Sequence, residues 1–243
     1  MPLDRTAELS FEAVDDTAVS TLLSVGVVVM KNVVSPEGLN GIACAYKRSR
    51  RLALPRRALA RGLALAGASD STLHNTVKAK PVESRLPGFP VHMRTAKQAF
   101  TEVNRLHGQF FEHPAIRQRY PGAVDLNQAA FPINVGSEAF PLHQDTQGVS
   151  GLGFAVQPTR TRWQIHQVID RSPGPVEFTF DTEPGDTTVL LERQGPEPKQ
   201  MWSEQGYYDM APDGSLPHSG INLEDRHRYG MGLFHLDYIE EML

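Results

Sequence analysis

His143 and Asp145 stand two residues apart in the segment PLHQDTQG. In a strand, positions i and i+2 project from one face. An imidazole and a carboxylate at this spacing are two thirds of a facial triad for non-haem Fe(II). Such a site needs a second histidine from elsewhere and keeps its remaining positions open. A lone H-x-D arises easily by chance, and the chain holds a control in His235 and Asp237 of FHLDY. Only six residues follow Asp237, so no later histidine can complete a site in that order. That second pair reads as the end of a C-terminal strand. His143 and Asp145 have a strand-rich segment behind them.

Among the later histidines, His166 lies 23 residues beyond His143, about one strand away, with no suitably placed arginine after it. His227 also lacks a suitably placed arginine downstream. His218 differs. Arg228 follows it by ten residues, at the start of an apolar run. A histidine that binds iron and an arginine on the next strand would face one cavity. The guanidinium fork can hold a carboxylate bidentately, as a keto-acid cosubstrate requires.

These residues need strands to carry them, and the hydrophobic period supplies the strands. From about residue 125 the chain breaks into short segments rich in β-branched or aromatic residues: AAFPINV, GLGFAV, RWQIHQVI, VEFTF, TTVLL and YGMGLFHL. Turn residues separate them, as in VGSE, PTRT, SPGP, PGD and PDG. The first half is helical in pattern. Thr17 to Leu23 suits a short amphipathic helix, and VVVMKNVV after Gly26 suits a buried strand. Ser35-Pro36-Glu37 reads as a helix start running through Leu39, Ile42 and Tyr46. Thr95 to about Phe111 places Ala99, Val103, Leu106 and Phe110 on one face. The expected architecture is mainly β with flanking helices around a jelly-roll (double-stranded β-helix, cupin-like) core. One domain should span 1–243, with a helix-rich part over 1–120 and a β-rich core with the metal site over 121–243.

Composition agrees with this and excludes other classes. The chain has 243 residues, 40% of them hydrophobic, and a formal charge of −4. No global field draws it onto nucleic acid or a membrane. The single Cys44 rules out an internal disulfide framework and suits a reducing, cytoplasmic compartment. The N-terminus has no signal pattern, and no apolar run approaches a bilayer span. There is no P-loop, no G-x-G-x-x-G after a strand, no H-E-x-x-H and no G-x-S-x-G.

The order His143-x-Asp145, His218, Arg228 resembles the H-x-D…H…R signature of the Fe(II)- and 2-oxoglutarate-dependent oxygenases. Local phrases are similar to the phytanoyl-CoA dioxygenase-like branch. They are VVVMKNVVSPEGL at the N-terminal strand and helix start, LHQDTQG at the proximal motif, PGDTTVLL before the distal histidine, and HSGIN…R at the distal block. About 25 residues (192–217) intervene before His218, more than is usual in that branch. The resemblance implies that His143, Asp145 and His218 hold Fe(II), that 2-oxoglutarate chelates the metal, and that Arg228 pairs with its far carboxylate. Dioxygen takes the last position. Oxidative decarboxylation would yield succinate, CO2 and an oxidant able to attack an unactivated C–H bond. Asp145 speaks against a halogenase, which would carry a small residue there. Hydroxylation, desaturation or oxidative cyclisation is expected.

Gln128 and Asn134 are expected on the strand before His143, an even number of residues apart, so they should share a face and are candidate contacts to cosubstrate or substrate. Thr146 and Gln147 are similar candidates. Trp163 reads as core. The insertion with Trp202, Tyr207 and Tyr208 suits a lid. The basic stretch KRSRRLALPRRALAR (47–61) reads as a solvated helix face, the alternative being a patch for an anionic group. The leading expectation is a small-molecule oxygenase of natural-product biosynthesis or catabolism. The alternatives are the same chemistry on a nucleic acid or protein, which the charge disfavours for nucleic acid, and a non-catalytic jelly-roll metal- or ligand-binding protein.

Overall fold

The computed structural model describes residues 2–52, 97–119, 123–130, 139–143, 151–156, 159–169, 172–191, 216–224 and 232–240. Over 45–52, 123–130, 139–141, 143, 151, 172 and 232–240 the description is of the backbone. The chain begins with β1 (Leu3–Asp4), the one-turn helix α1 (Thr6–Leu9), β2 (Ser10–Phe11), α2 (Asp16–Val25), β3 (Val27–Met30) and α3 (Pro36–Leu52). Helices α4 (Lys97–Glu112) and α5 (Pro114–Arg119) come next. The remaining strands are β4 (Ala123–Ala130), β5 (Ala139–His143), β6 (Gly151–Val156), β7 (Thr161–Ile169), β8 (Ser172–Thr182), β9 (Thr187–Leu191), β10 (His218–Asn222) and β11 (Gly232–Glu240).

Local chemistry explains where the N-terminal elements start and stop. Asp15 caps α2 by accepting from the Ala18 amide at 2.8 Å, and Gly26 ends it in the left-handed conformation at φ 91°. The strand expected over VVVMKNVV stops at Met30. Asn32 turns the chain away at φ 53°, and Asp186 fixes that turn by accepting from the Asn32 amide and pairing with Lys31. The helix start at Ser35 is as the sequence indicated: its hydroxyl accepts from the Gly38 amide at 3.1 Å, and Pro36 is the first helical residue. Glu102 of α4 accepts from the Ser35 amide at 3.1 Å and so ties α4 to the start of α3.

Two sheets carry the rest. One has the order β1-β8-β7-β10-β5, the other β2-β3-β9-β6-β11-β4. The eight strands from β4 onward pair in a nested series: β4 with β11, β5 with β10, β6 with β9, and β7 with β8, all antiparallel. The short β1 and β2 add at the margins in parallel, so both sheets are mixed. Mainly β with flanking helices is therefore the observed class.

Side-chain alternation sorts the core into two layers. Val28, Met30, Leu152, Phe154, Val156 and Val189 face α2, α3, α4 and α5, meeting Leu22, Ile42, Val103 and Phe110. The intervening Val27, Val29, Ala155 and Leu190 face the other sheet and meet Trp163, Ile165, Phe178 and Phe180. A sheet covered on both faces needs unbroken apolar strands, which is why VVVM and TTVLL lack polar alternation. Burying these faces is the main source of stability, at roughly 25 cal/mol per Å² of apolar surface. Among the described residues, no helix is long and apolar enough to cross a membrane.

The turn that joins β8 to β9 ties this sandwich to the N-terminal segment. Gly185 takes φ 98° beneath the Val34 carbonyl, where a Cβ would come within 2.7 Å of that oxygen. Asp186, 1% exposed, accepts from the Glu183 amide at 2.8 Å and the Asn32 amide at 3.1 Å while pairing with Lys31. Asp186→Ala would leave two amides and an ammonium without their acceptor. We expect it to cost about 2–4 kcal/mol, since half-broken buried pairs are strongly destabilising. Urea unfolding monitored by tryptophan fluorescence measures this; a change below roughly 0.5 kcal/mol, the level of a surface substitution, would contradict it.

Candidate metal centre

Strand β10 lies between β5 and β7, and its register brings together two residues far apart in sequence. His218 pairs directly with His143 of β5 and, on its other side, with Ile165 of β7. Directly opposed positions on antiparallel strands share a face, with Cβ atoms roughly 4.5–5.5 Å apart. A register shift between His218 and Gly220 marks a local bulge in the β5 pairing. On β7 the buried positions alternate as Thr161, Trp163 and Ile165, the last two in the inter-sheet core. His218, opposite Ile165, belongs to that interior face.

The imidazole of His218 is 1% exposed and held in a definite state. Its Nδ1 lies 2.8 Å from the Leu216 carbonyl oxygen. A carbonyl only accepts, so Nδ1 carries the proton and donates it. This is the arrangement of a metal-ligating histidine oriented by a backbone carbonyl. The Trp163 ring is centred 5.7 Å away at 49°, and Phe180 stacks on its other side at 6.0 Å and 11°. Trp163 in turn donates from Nε1 to the Thr182 hydroxyl at 3.2 Å. Trp163 is core, as its sequence context suggested, but core that backs the candidate ligand. Ser219 points the other way, donating to Gln164 Oε1 at 3.2 Å.

The remaining candidates are placed unequally. Gln128 lies on β4, two positions before Ala130, which pairs with His235. Asp145, Asn134 and Arg228 lie outside the described residues, as do Thr146, Gln147 and His227. Among the described residues, no group of three or more His, Cys, Asp or Glu is gathered to hold a metal. His166, on β7, makes a contact of the same kind: its Nδ1 lies 3.1 Å from the Gly174 carbonyl oxygen, its buried Nε2 has no hydrogen-bond partner among the described residues, and its amide donates to the Pro217 carbonyl at 2.9 Å. Cys44 is half-buried on α3 with Asn40 beside it. The basic stretch beyond residue 52 and the insertion over 192–215 lie outside the described residues.

Two features were not read from the sequence. One is the Leu216 carbonyl, whose contact with the His218 ring depends on the path of the chain into β10, which composition does not encode. The other is the position of the second H-x-D pair. On β11, His235 pairs with Gly153 and Asp237 with Gly151, in step with Leu233 opposite Ala155. A strand location was foreseen for that pair; its pairing with β6 was not.

The chain matches no protein-family model and no curated protein. Solved structures show a distant likeness. Two are of YcfD, a ribosomal oxygenase from Escherichia coli, one in complex with cobalt and succinic acid and one with cobalt and 2-oxoglutarate. Each is 19% identical at a TM-score of 0.27, covering 56% of this chain and 29% of that one. A further YcfD structure, at 17% identity and TM-score 0.28, covers 56% of this chain and 32% of its own. This chain thus spans about a third or less of the length of the structures it resembles.

Proposed function

We propose that residues 1–243 form one domain, a jelly-roll Fe(II)- and 2-oxoglutarate-dependent oxygenase acting on a small molecule. The observation that carries this reading is the register of His218 opposite His143. It joins the two histidines of the H-x-D…H order across adjacent strands, though 74 residues separate them in the chain. The nested pairing of β4 to β11 supports the jelly-roll reading, because rolling up a long hairpin produces that order.

The donor set suits the metal. Two imidazoles from His143 and His218 with the Asp145 carboxylate form a facial set that favours Fe(II) over structural zinc. The Nδ1 hydrogen bond of His218 supports this reading, since a neutral ring protonated at Nδ1 presents Nε2 to a metal. Fe(II), 2-oxoglutarate and O2 supply the oxidation of an unactivated C–H bond when bound. The chain's own residues orient and shield. Leu216 sets the His218 ring, while Trp163, Ile165 and Phe178 keep water from its inner side. Arg228 pairs with the far carboxylate of the cosubstrate, and Gln128 and Asn134 contact cosubstrate or substrate. A ligand histidine this deeply buried favours a substrate small enough to enter the sandwich. Hydroxylation, desaturation and cyclisation are the outcomes this site would support.

Succinate release from 2-oxoglutarate, screened against small molecules, tests the reaction. Substrate-dependent succinate that disappears in His143→Ala is expected. Arg228→Ala should raise the apparent KM for 2-oxoglutarate roughly 10- to 100-fold, as loss of a charge-assisted pair does. Unchanged KM would remove Arg228 from its role.

A further inference from the structure

We propose that residues 3–11 form a strap that opens as one unit and uncovers the side of the sandwich between β8 and β3. Strand β1 pairs with β8 at the outer edge of one sheet, Leu3 against Phe178 and Asp4 against Thr179. Just beyond α1, β2 pairs with β3 at the outer edge of the other sheet, Ser10 against Val29 and Phe11 against Met30. The segment therefore crosses from sheet to sheet and covers the seam between them. Helix α1 makes the crossing, and its buried Leu9 enters the inter-sheet core with Val27, Val29, Phe178 and Phe180. One row of paired positions runs from Leu3 through Phe178, Ile165 and His218 to His143. The strap thus borders the layer that holds the candidate metal centre.

The segment is bonded at both ends and thinly held between them. At the β8 end, the Thr6 hydroxyl donates to Asp4 Oδ1 at 2.7 Å and accepts from the Asp181 amide at 2.9 Å. The Thr6 amide donates to the same Asp4 oxygen at 2.9 Å, and the hydroxyl and amide together hold the Asp4 carboxyl below the usual carboxylate range. Asp181 is fixed in turn by the Arg162 fork, at 2.8 and 2.9 Å. The Arg5 amide donates to the Thr179 carbonyl at 2.9 Å. At the β3 end, the Phe11 carbonyl accepts from the Lys31 amide at 2.8 Å. Between these ends Leu9 is the only buried residue of the segment, and Leu3 is 63% exposed. Regions with few buried apolar contacts open well before the whole domain unfolds. A four-residue helix does not persist alone, so once Leu9 leaves the core α1 melts and both two-residue strands lose their tether. That coupling makes the opening a single event. It bares Val27, Val29, Phe178 and Phe180 to small molecules arriving from the side.

Two amides report the two ends: Asp181 donates to Thr6, and Lys31 donates to Phe11. Native-state hydrogen exchange should give both the same opening free energy, below that of amides in the central strand β7. Thr6→Val keeps the side-chain shape and deletes the hydroxyl. It should speed exchange at Asp181 and also at Lys31, whose bond lies at the other end, by about tenfold. Leu9→Ala should speed both by at least about 30-fold. A small methanethiosulfonate reagent tests whether the seam is uncovered. Val29→Cys, in a Cys44→Ala background, should be labelled faster in the presence of Thr6→Val by the same factor as Lys31 exchange. Faster exchange at Asp181 with Lys31 unchanged would mean that one end frays alone, and would overturn the single unit. Exchange of both amides only at the free energy of β7 would overturn the strap as a separate device. Labelling of Val29→Cys that Thr6→Val leaves unchanged would overturn the uncovering of the seam.

Discussion

His218→Ala is expected to lower Fe(II) or Co(II) affinity by more than about 100-fold, since it removes a ligand, where loss of an outer-shell partner alone costs 10–100-fold. Turnover should fall below detection. The fold should persist. The His218 ring is bonded to the Leu216 carbonyl and contacts the Trp163 ring, and losing interactions of this kind costs about 1–3 kcal/mol. The pairing of β10 with β7 is made by backbone and survives the change. Metal titration by calorimetry beside far-UV circular dichroism separates the two effects. Near-wild-type affinity in a folded variant would remove His218 from the site.

Trp163→Ala should produce the largest loss of stability, about 3–5 kcal/mol, as for other buried aromatic residues cut back to alanine. The indole is 0% exposed and central to the inter-sheet core. Its removal opens a cavity between Phe180 and His218 and strips the Thr182 hydroxyl of its donor. Trp163→Phe should recover most of the packing but not that hydrogen bond, at a cost of about 1–2 kcal/mol. Denaturant titration read by circular dichroism gives both values. Equal losses for the two variants would mean that the hydrogen bond, rather than the packing, holds this part of the core.

The fold was legible wherever the pattern was local. Ser35-Pro36 marked the start of α3, the Gly185-Asp186 turn stood where PGD indicated, and TTVLL forms β9 over the residues expected. The four-residue β3 was overestimated, because the tie from Lys31 and Asn32 to Asp186 spans more than 150 positions and leaves no local trace. Short elements such as α1, β1 and β10 were not resolved from pattern. HSGIN is too short and too polar for a period of two to stand out, yet it forms the strand that matters most. Candidate ligands could be named from residue type and order. What could not be read was that His218 would face His143 and lie under Trp163, because strand register depends on pairing between distant segments. The pairing of His235 and Asp237 with β6 escaped for the same reason.

The central claim is that His143 and His218 bind one Fe(II) together, with 2-oxoglutarate beside it. Anaerobic addition of Fe(II) and 2-oxoglutarate, followed by visible absorption, tests it most directly. Wild-type protein should develop a metal-to-ligand charge-transfer band that is absent from both His143→Ala and His218→Ala. No band in folded wild-type protein, or an undiminished band in either variant, would contradict the account.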